Sequence, residues 1–234
     1  MVTTTRLVLV PGLVCDAELW KHQTDTLGDI CEPAIFDMAP YDDMGAAARA
    51  LLETFPGKFA LAGLSMGGYL AFEIMRQAPE RVSKLALLDT TPAADSPESI
   101  ERRKGGIEQA KSGNFKKVME GYLPFFMHEK RLADPEFVKK VVAMTDRVGR
   151  DSFINGQTLM MNRSDSRASL GAIACPTLVL CGRQDTLTPL AVHVDMAAQI
   201  PGASLVVVED SGHLSTMEQP HAVSAVMRYW LVRD

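Results

Sequence analysis

Ser65 has the sequence surroundings of a nucleophile. It lies in Gly63-Leu64-Ser65-Met66-Gly67-Gly68, behind the apolar run Phe59–Ala62 and ahead of a helical stretch. A sharp strand-to-helix turn of this kind lifts a serine clear of the chain. Gly63 and Gly67 are needed because any side chain there would collide with the neighbouring turn. The start of the following helix aims backbone N–H groups at negative charge. A phosphate-binding loop would need a Gly-Lys-Ser/Thr ending and a four-residue spacer, and both are missing. A turn that merely packs a helix against a strand would have no use for the partners that follow.

Serine is a weak nucleophile without an adjacent base. His213, in Asp210-Ser211-Gly212-His213-Leu214-Ser215, is the expected base. His22, His193 and His221 fall inside expected helices, where surface or satisfied roles fit them better. His128 lies in a helical region and is weighed there as a substrate contact. An acid must hold the histidine in the right tautomer. Asp185, in Gly182-Arg183-Gln184-Asp185-Thr186-Leu187-Thr188-Pro189, is the expected acid. Asp89 is the reserve, and Asp210 reads as a turn or capping residue. The order Ser, Asp, His suits an acyl-transfer triad of this kind. An oxyanion hole is expected from the backbone N–H groups of Met66 and of Leu13, in Pro11-Gly12-Leu13-Val14.

These residues need a frame. Short apolar runs occur at Leu7–Val10, Ala34–Phe36, Phe59–Ala62, Leu85–Leu88, Leu178–Leu180 and Leu205–Val208. Each is almost wholly apolar, the mark of strands covered on both faces. Helical stretches alternate with them at Ala17–Leu27, Met44–Phe55, Gly67–Ala78, Leu190–Gln199 and Pro220–Val232. The expected fold class is α/β, a doubly wound, mostly parallel sheet of about six strands. Ser65, Asp185 and His213 would then all stand at C-terminal strand ends, where open sheets build their sites.

Residues 91–167 break the rhythm. They read as helices at Pro97–Lys111, Phe115–Phe126, Pro135–Val148 and Asp151–Asn162. That is longer than an ordinary crossover. A helical cap over 91–167 is therefore expected, inserted between core strands, on a core made of 1–90 and 168–234.

With these motifs the chain resembles the α/β-hydrolase superfamily. The resemblance runs from Leu7-Val8-Leu9-Val10-Pro11-Gly12 through Gly63–Gly68 and Gly182–Asp185 to Gly212-His213. It looks most like the small cofactor-free esterases, enol-lactonases and carbon–carbon bond hydrolases. The resemblance implies a cap at 91–167. Many relatives have His-Gly after the first core strand, where this chain has Pro11-Gly12. The antiparallel pair that usually opens the fold has no room here, another reason to expect about six strands. Serine at position 65 argues against the dehalogenases and epoxide hydrolases of similar fold, which use aspartate.

The expected reaction is hydrolysis of a small or medium ester, thioester or lactone through an acyl-enzyme. Two rivals are carbon–carbon bond cleavage or a lyase step with the same triad, and a non-catalytic ligand-binding protein on this fold. Cys15, Trp20, Met66, Phe125, Phe126, Met127, Met160 and Met161 are expected to line an apolar pocket. The small-molecule substrate is the expected partner, with the chain a monomer or homodimer.

Composition agrees with this reading. The 234 residues can bury a full core, and the 47% apolar content is ordinary. A net charge of −5 provides no basic footprint for nucleic acid. No stretch approaches the ~20 apolar residues of a membrane helix. The run within Met1–Val10 is too short for a signal peptide. Cys15, Cys31, Cys175 and Cys181 form no C-x-x-C pair and read as reduced packing thiols in the cytoplasm, with Cys175 and Cys181 buried. No His-Glu-x-x-His, Cys/His cluster or Gly-x-Gly-x-x-Gly is present, so neither a metal nor a cofactor is expected.

Overall fold

The computed structural model describes residues 5–233, so the first four residues of the Met1–Val10 run lie outside it. The strands are β1 (Thr5–Val10), β2 (Cys31–Ile35), β3 (Phe59–Leu64), β4 (Val82–Leu88), β5 (Thr177–Gly182) and β6 (Ser204–Val208). They form one sheet in the order β2-β1-β3-β4-β5-β6. Every neighbouring pair is parallel. All residues of β3 and β5 are buried, which explains why these runs lack the alternation of a one-sided sheet.

The register levels the strand ends. Val10 lies opposite Gly63, Leu64 opposite Leu88, Leu88 opposite Leu180 and Gly182 opposite Val208. The turns that follow these strands therefore open on one edge. The chain runs outward from β1 to β2 and then returns past β1 to β3. The turns after β1 and β3 diverge at that reversal and leave a crevice between them.

The helices are α1 (Lys21–Leu27), α2 (Met44–Thr54), α3 (Met66–Gln77), α4 (Pro97–Gln109), α5 (Phe115–Phe126), α6 (Glu129–Leu132), α7 (Pro135–Met161), α8 (Leu190–Gln199), α9 (Ser215–Glu218) and α10 (Pro220–Val232). Helices α4 to α7 occupy the connection between β4 and β5, with no strand among them. The expected doubly wound parallel sheet is thus present.

Some local readings change and others hold. β2 begins at Cys31 rather than Ala34 and carries Pro33. Pro33 is tolerated because β2 is an edge strand, so its missing N–H leaves no partner unsatisfied on the outer side. The two helices expected across 135–162 are the two arms of α7, which breaks between them at Gly149, where the backbone leaves helical geometry at φ 81°. The four-residue helices α6 and α9 escaped the sequence reading because a single turn shows no period. The four cysteines are free. Cys31 and Cys181 are buried, but Cys175 is only half-buried, because it lies ahead of β5 at the rim of the sheet. Among the described residues, no helix is long and apolar enough to cross a membrane.

Candidate active site

Ser65 joins β3 to α3 at φ 53° and ψ −113°, a left-handed conformation that is rare outside glycine. Its amide donates to Leu88 O at 3.0 Å, and its own carbonyl accepts from Gly68 N at 2.9 Å. The glycines have the steric role read from the sequence. A Cβ on Gly63 would run into the Gly67 carbonyl, and one on Gly67 into the Val10 carbonyl. Val14, Asp89 and Asp210 also have positive φ. All four residues follow strands β1, β3, β4 and β6 on the same edge of the sheet. Strain of this kind gathers where structure serves a site.

His213 Nε2 lies 2.8 Å from Ser65 Oγ, and His213 Nδ1 lies 2.8 Å from Asp185 Oδ2. Ser65 is more than a hundred positions from the other two, and Asp185 and His213 stand 28 apart, yet the three form one hydrogen-bonded row. With Nδ1 donating to Asp185, Nε2 is left as an acceptor for the serine hydroxyl. Gly182 and Gly212 permit this approach. A Cβ on Gly182 would strike the carbonyls of Ser211 and Gly212, and one on Gly212 would meet His128 N at 2.6 Å.

Asp185 is held by more than its histidine. Its Oδ1 accepts from Leu187 N at 2.8 Å and Thr188 N at 3.0 Å. Its Oδ2 also accepts from Thr188 Oγ1 at 2.6 Å. Burial pushes this carboxyl up, but the His213 charge and these hydrogen bonds outweigh it and hold Asp185 below the usual range. Burial likewise pushes His213 down, but the charge and hydrogen bond of Asp185 raise it above an ordinary histidine.

Asp89, the reserve acid, faces elsewhere. Its Oδ1 accepts from Gly182 N at 2.9 Å, and its Oδ2 from Ser215 Oγ at 2.5 Å. Burial, then the negative charge of Asp185, pushes its carboxyl up to about 8. Asp89 braces the turns that carry Asp185 and His213 and has no hydrogen bond to the imidazole.

Glu218 and Thr188 were not singled out in the sequence. Glu218 Oε1 accepts from Gly212 N at 2.9 Å and Leu214 N at 3.1 Å, the two neighbours of His213. Its Oε2 accepts from His128 N at 2.7 Å. Thr188 lies three positions from Asp185, and Glu218 lies four and six positions from Leu214 and Gly212, but a carboxylate or hydroxyl at such a distance has no recognisable motif.

The other histidines have local partners. Buried His193 accepts from Thr90 N at 3.0 Å, and burial brings it down to about 4. His22 Nδ1 lies 2.7 Å from Ser224 Oγ, with His221 edge-on at 4.5 Å. His128 caps α6, where its Nδ1 accepts from Lys130 N at 3.1 Å, and it does not line the cavity beside Ser65. Asp210 is a turn residue, paired with Lys130 Nζ at 2.7 Å.

Leu13 lies in the turn after β1, and Met66 is the first residue of α3. Among the described residues, neither backbone N–H donates to a protein acceptor. A Cβ on Gly12 would stand 3.5 Å from Ser65 Cβ, so this turn is within reach of the serine. The turn is fixed without the His-Gly of many relatives. Asp16 Oδ2 pairs with Arg147 of α7 at 2.8 Å, and Gly156 of α7 packs so closely that a Cβ would come within 2.5 Å of Leu13 Cδ1.

Ser65 and His213 open on a cavity of about 340 Å³. That lies at the small end of ligand pockets, which run from about 300 to 1,000 Å³. Cys15, Phe126 and Met160 line it as expected, but Trp20, Met66, Phe125, Met127 and Met161 do not. Trp20 is fully buried in the core, whereas Phe125 turns out to solvent at 51% exposure. The rest of the lining includes a polar wall with Tyr69, Asp95, Arg103, Tyr122 and Arg163. A second cavity, of about 330 Å³, lies at the other edge of the sheet, beside Cys175 and Trp230.

Among the described residues, no group of three or more His, Cys, Asp or Glu side chains is placed to hold a metal.

Comparison with known proteins gives the family and the fold. Residues 7–226 match the Alpha/beta hydrolase family. The chain is 26% identical to the pimeloyl-[acyl-carrier protein] methyl ester esterase of Vibrio campbellii, covering 95% of this chain and 92% of that protein. Its counterpart from Nitrosomonas europaea is 27% identical, over 92% and 90%. Among solved structures, a thermophilic esterase from Thermogutta terrifontis, with malate bound, superposes with a TM-score of 0.90 at 32% identity, covering 97% of this chain and 89% of that one. The enol-lactonase from Burkholderia xenovorans LB400 shares the fold, with a TM-score of 0.87 at 20% identity over 99% and 92%. The elbow at Ser65, the parallel sheet and the match across nearly the whole length lead to one conclusion: the chain belongs to the alpha/beta hydrolase family.

Proposed function

We propose that the protein hydrolyses a small carboxylic ester, with Ser65 as nucleophile, His213 as general base and Asp185 as the group that orients and stabilises the imidazolium. The observation that carries this is the row Asp185–His213–Ser65, with 2.8 Å at each step. The carboxylesterase-type activity of the class agrees with the esterases to which the chain is similar.

In the proposed reaction Ser65 Oγ attacks the ester carbonyl carbon while its proton moves to His213 Nε2. The carbonyl oxygen becomes an oxyanion and takes the free N–H groups of Leu13 and Met66. Removing one such donor from an oxyanion hole costs about 3–4 kcal/mol in the transition state. The carbon–oxygen bond to the alcohol breaks, and His213 returns its proton to that oxygen. Water then gives a proton to His213 as its oxygen attacks the acyl carbon. The acid leaves, and Ser65 recovers its hydrogen. Ester and water become acid and alcohol, with no other reactant.

In the same reading, residues 91–167 act as a cap that closes the cavity over Ser65. Phe126 and Met160 in its walls support this. A small-molecule substrate fits a cavity of this volume. The four free thiols suit a reducing compartment, the basis for assigning the protein to the cytoplasm.

The test is hydrolysis of a p-nitrophenyl ester series, acetate to decanoate, by wild type and Ser65→Ala. Turnover by the wild type and its loss in the variant, with a serine-bound acyl group seen by mass spectrometry, is the expected result. Equal activity in both proteins would overturn the assignment of Ser65.

A further inference from the structure

The polar wall of the cavity carries more positive charge than ester hydrolysis uses. Asp95 Oδ2 pairs with Arg103 Nε at 2.5 Å, and Asp95 Oδ1 pairs with Arg163 Nη1 at 2.8 Å. The three side chains are 5%, 17% and 6% exposed, respectively. Two guanidinium groups therefore share one carboxylate out of bulk water. Burial pushes the Asp95 carboxyl up, but the hydrogen bonds and charges of Arg103 and Arg163 prevail and hold it below the usual range. Asp95 is thus ionised at neutral pH, and the cluster retains a net positive charge.

The two arginines differ in what they have left to give. Arg163 is committed to the protein. Its Nε and Nη2 donate to Ala93 O at 3.1 and 2.9 Å, its Nη1 donates to Met160 O at 2.8 Å, and its face lies 4.2 Å from the Tyr69 ring centroid. Arg103 donates through Nε and Nη2 to Asp95 and through Nη1 to Gln157 Oε1 at 2.8 Å. A guanidinium has five N–H groups. Two of those on Arg103 have no protein acceptor among the described residues, and Arg103 lines the cavity. The Tyr122 hydroxyl, on the same wall, accepts from Gln157 Nε2 at 3.1 Å and so keeps its own hydrogen to donate.

Donors without acceptors and a buried positive charge without a full counter-charge call for an anion. We infer that the preferred substrate is an ester whose acyl chain ends in a carboxylate, a monoester of a short dicarboxylic acid, with Arg103 as the residue that selects it. A carboxylate fits the planar fork of a guanidinium. The acyl chain is the part that stays bound through both half-reactions, so an anchor there acts in acylation and deacylation alike. This inference rests on the proposed ester hydrolysis at Ser65.

The experiment compares monomethyl glutarate and monomethyl adipate with methyl pentanoate and methyl hexanoate, by acid release in a pH-stat. The wild type is expected to favour the anionic esters by about ten-fold or more in kcat/KM, the value of one charge-assisted hydrogen bond. Most of the difference should lie in KM. Free glutarate should compete with substrate more strongly than pentanoate. Arg103→Gln should bring the anionic-to-neutral ratio close to one. Should that variant fail to fold, the wild-type ratio and the inhibition by free acids still decide. Equal or lower kcat/KM for the anionic esters, with the neutral esters turned over normally, would overturn the inference and leave the esterase reading standing. No turnover of either series, nor of p-nitrophenyl esters, would instead remove the esterase reading itself.

Discussion

The Glu218 carboxylate accepts the backbone N–H of His128 at 2.7 Å, and so ties the helical insertion to the loop that carries His213. The same side chain holds the amides on both sides of His213. Burial pushes the Glu218 carboxyl up, a cost that these three amide hydrogen bonds oppose. One carboxylate thereby couples the position of the imidazole to the placement of the insertion.

Glu218→Ala would leave the amides of His128 and Gly212 without their acceptor, while Leu214 N keeps Phe126 O at 3.1 Å. Each buried unsatisfied donor costs about 1–3 kcal/mol. In a chain of this size each kcal/mol lowers Tm by roughly 2–4 °C. A clear drop in Tm is expected in thermal unfolding, together with a lower kcat as His213 loses its fixed position. An unchanged Tm would show that water replaces the carboxylate at no cost.

The two buried aspartates should separate cleanly. Asp185→Asn turns an acceptor for His213 Nδ1 into a donor and favours the wrong tautomer, an exchange that lowers kcat by about 10⁴-fold in a serine protease triad. Asp89 touches Gly182 and Ser215 instead, and its carboxyl stays protonated up to about 8. Asp89→Asn should therefore lower kcat/KM at pH 7 by less than about ten-fold, since it carries the same charge there. Steady-state kinetics of the pair would reverse the assignment of the acid if Asp89→Asn were the more damaging.

Activity and stability should move in opposite directions above neutrality. The base must be neutral to take the serine proton, and His213 is raised above its ordinary 6.5. The kcat/KM profile should therefore rise with pH through an inflection above 6.5. A raised histidine stabilises the fold in full below 6.5, and that contribution is lost as pH climbs through the folded value. Asp89 adds to this, because the unfolded chain ionises near 3.8 while the folded carboxyl keeps its proton up to about 8. Tm should fall between about pH 6.5 and 8 while kcat/KM rises; parallel trends would contradict the pKa directions.

Two glycines make a steric control. In Gly67→Ala the new Cβ meets the Val10 carbonyl, which β1 cannot move, so soluble folded protein should be lost or strongly destabilised. Gly105, inside α4, has nothing within 4 Å of the corresponding position. Gly105→Ala should stabilise by about 0.5–1 kcal/mol through helix propensity alone. Denaturant unfolding of both variants checks the contrast.

How much of this was legible in the sequence depends on the range of each interaction. The apolar runs of β3 and β5, the elbow glycines around Ser65 and the loops holding Asp185 and His213 are local patterns, and the sheet with its row of three residues was readable from them. Helices α5, α8 and α10 were read to the residue, because propensity and end signals act within a few positions. The cavity wall was not readable. Asp95, Arg103 and Arg163 meet only because the insertion folds back over 68 positions of chain, and nothing near any of them in sequence marks the partner. Five of the eight expected apolar pocket residues, Trp20 and Phe125 among them, fell outside it for the same reason, since hydrophobicity does not say which face of a helix meets the cavity. Sequence determined the sheet and the chemical types at its edge, because strands and turns are short-range structures. Only the tertiary packing decided which charges face the serine, because long-range contacts depend on how whole helices settle on one another.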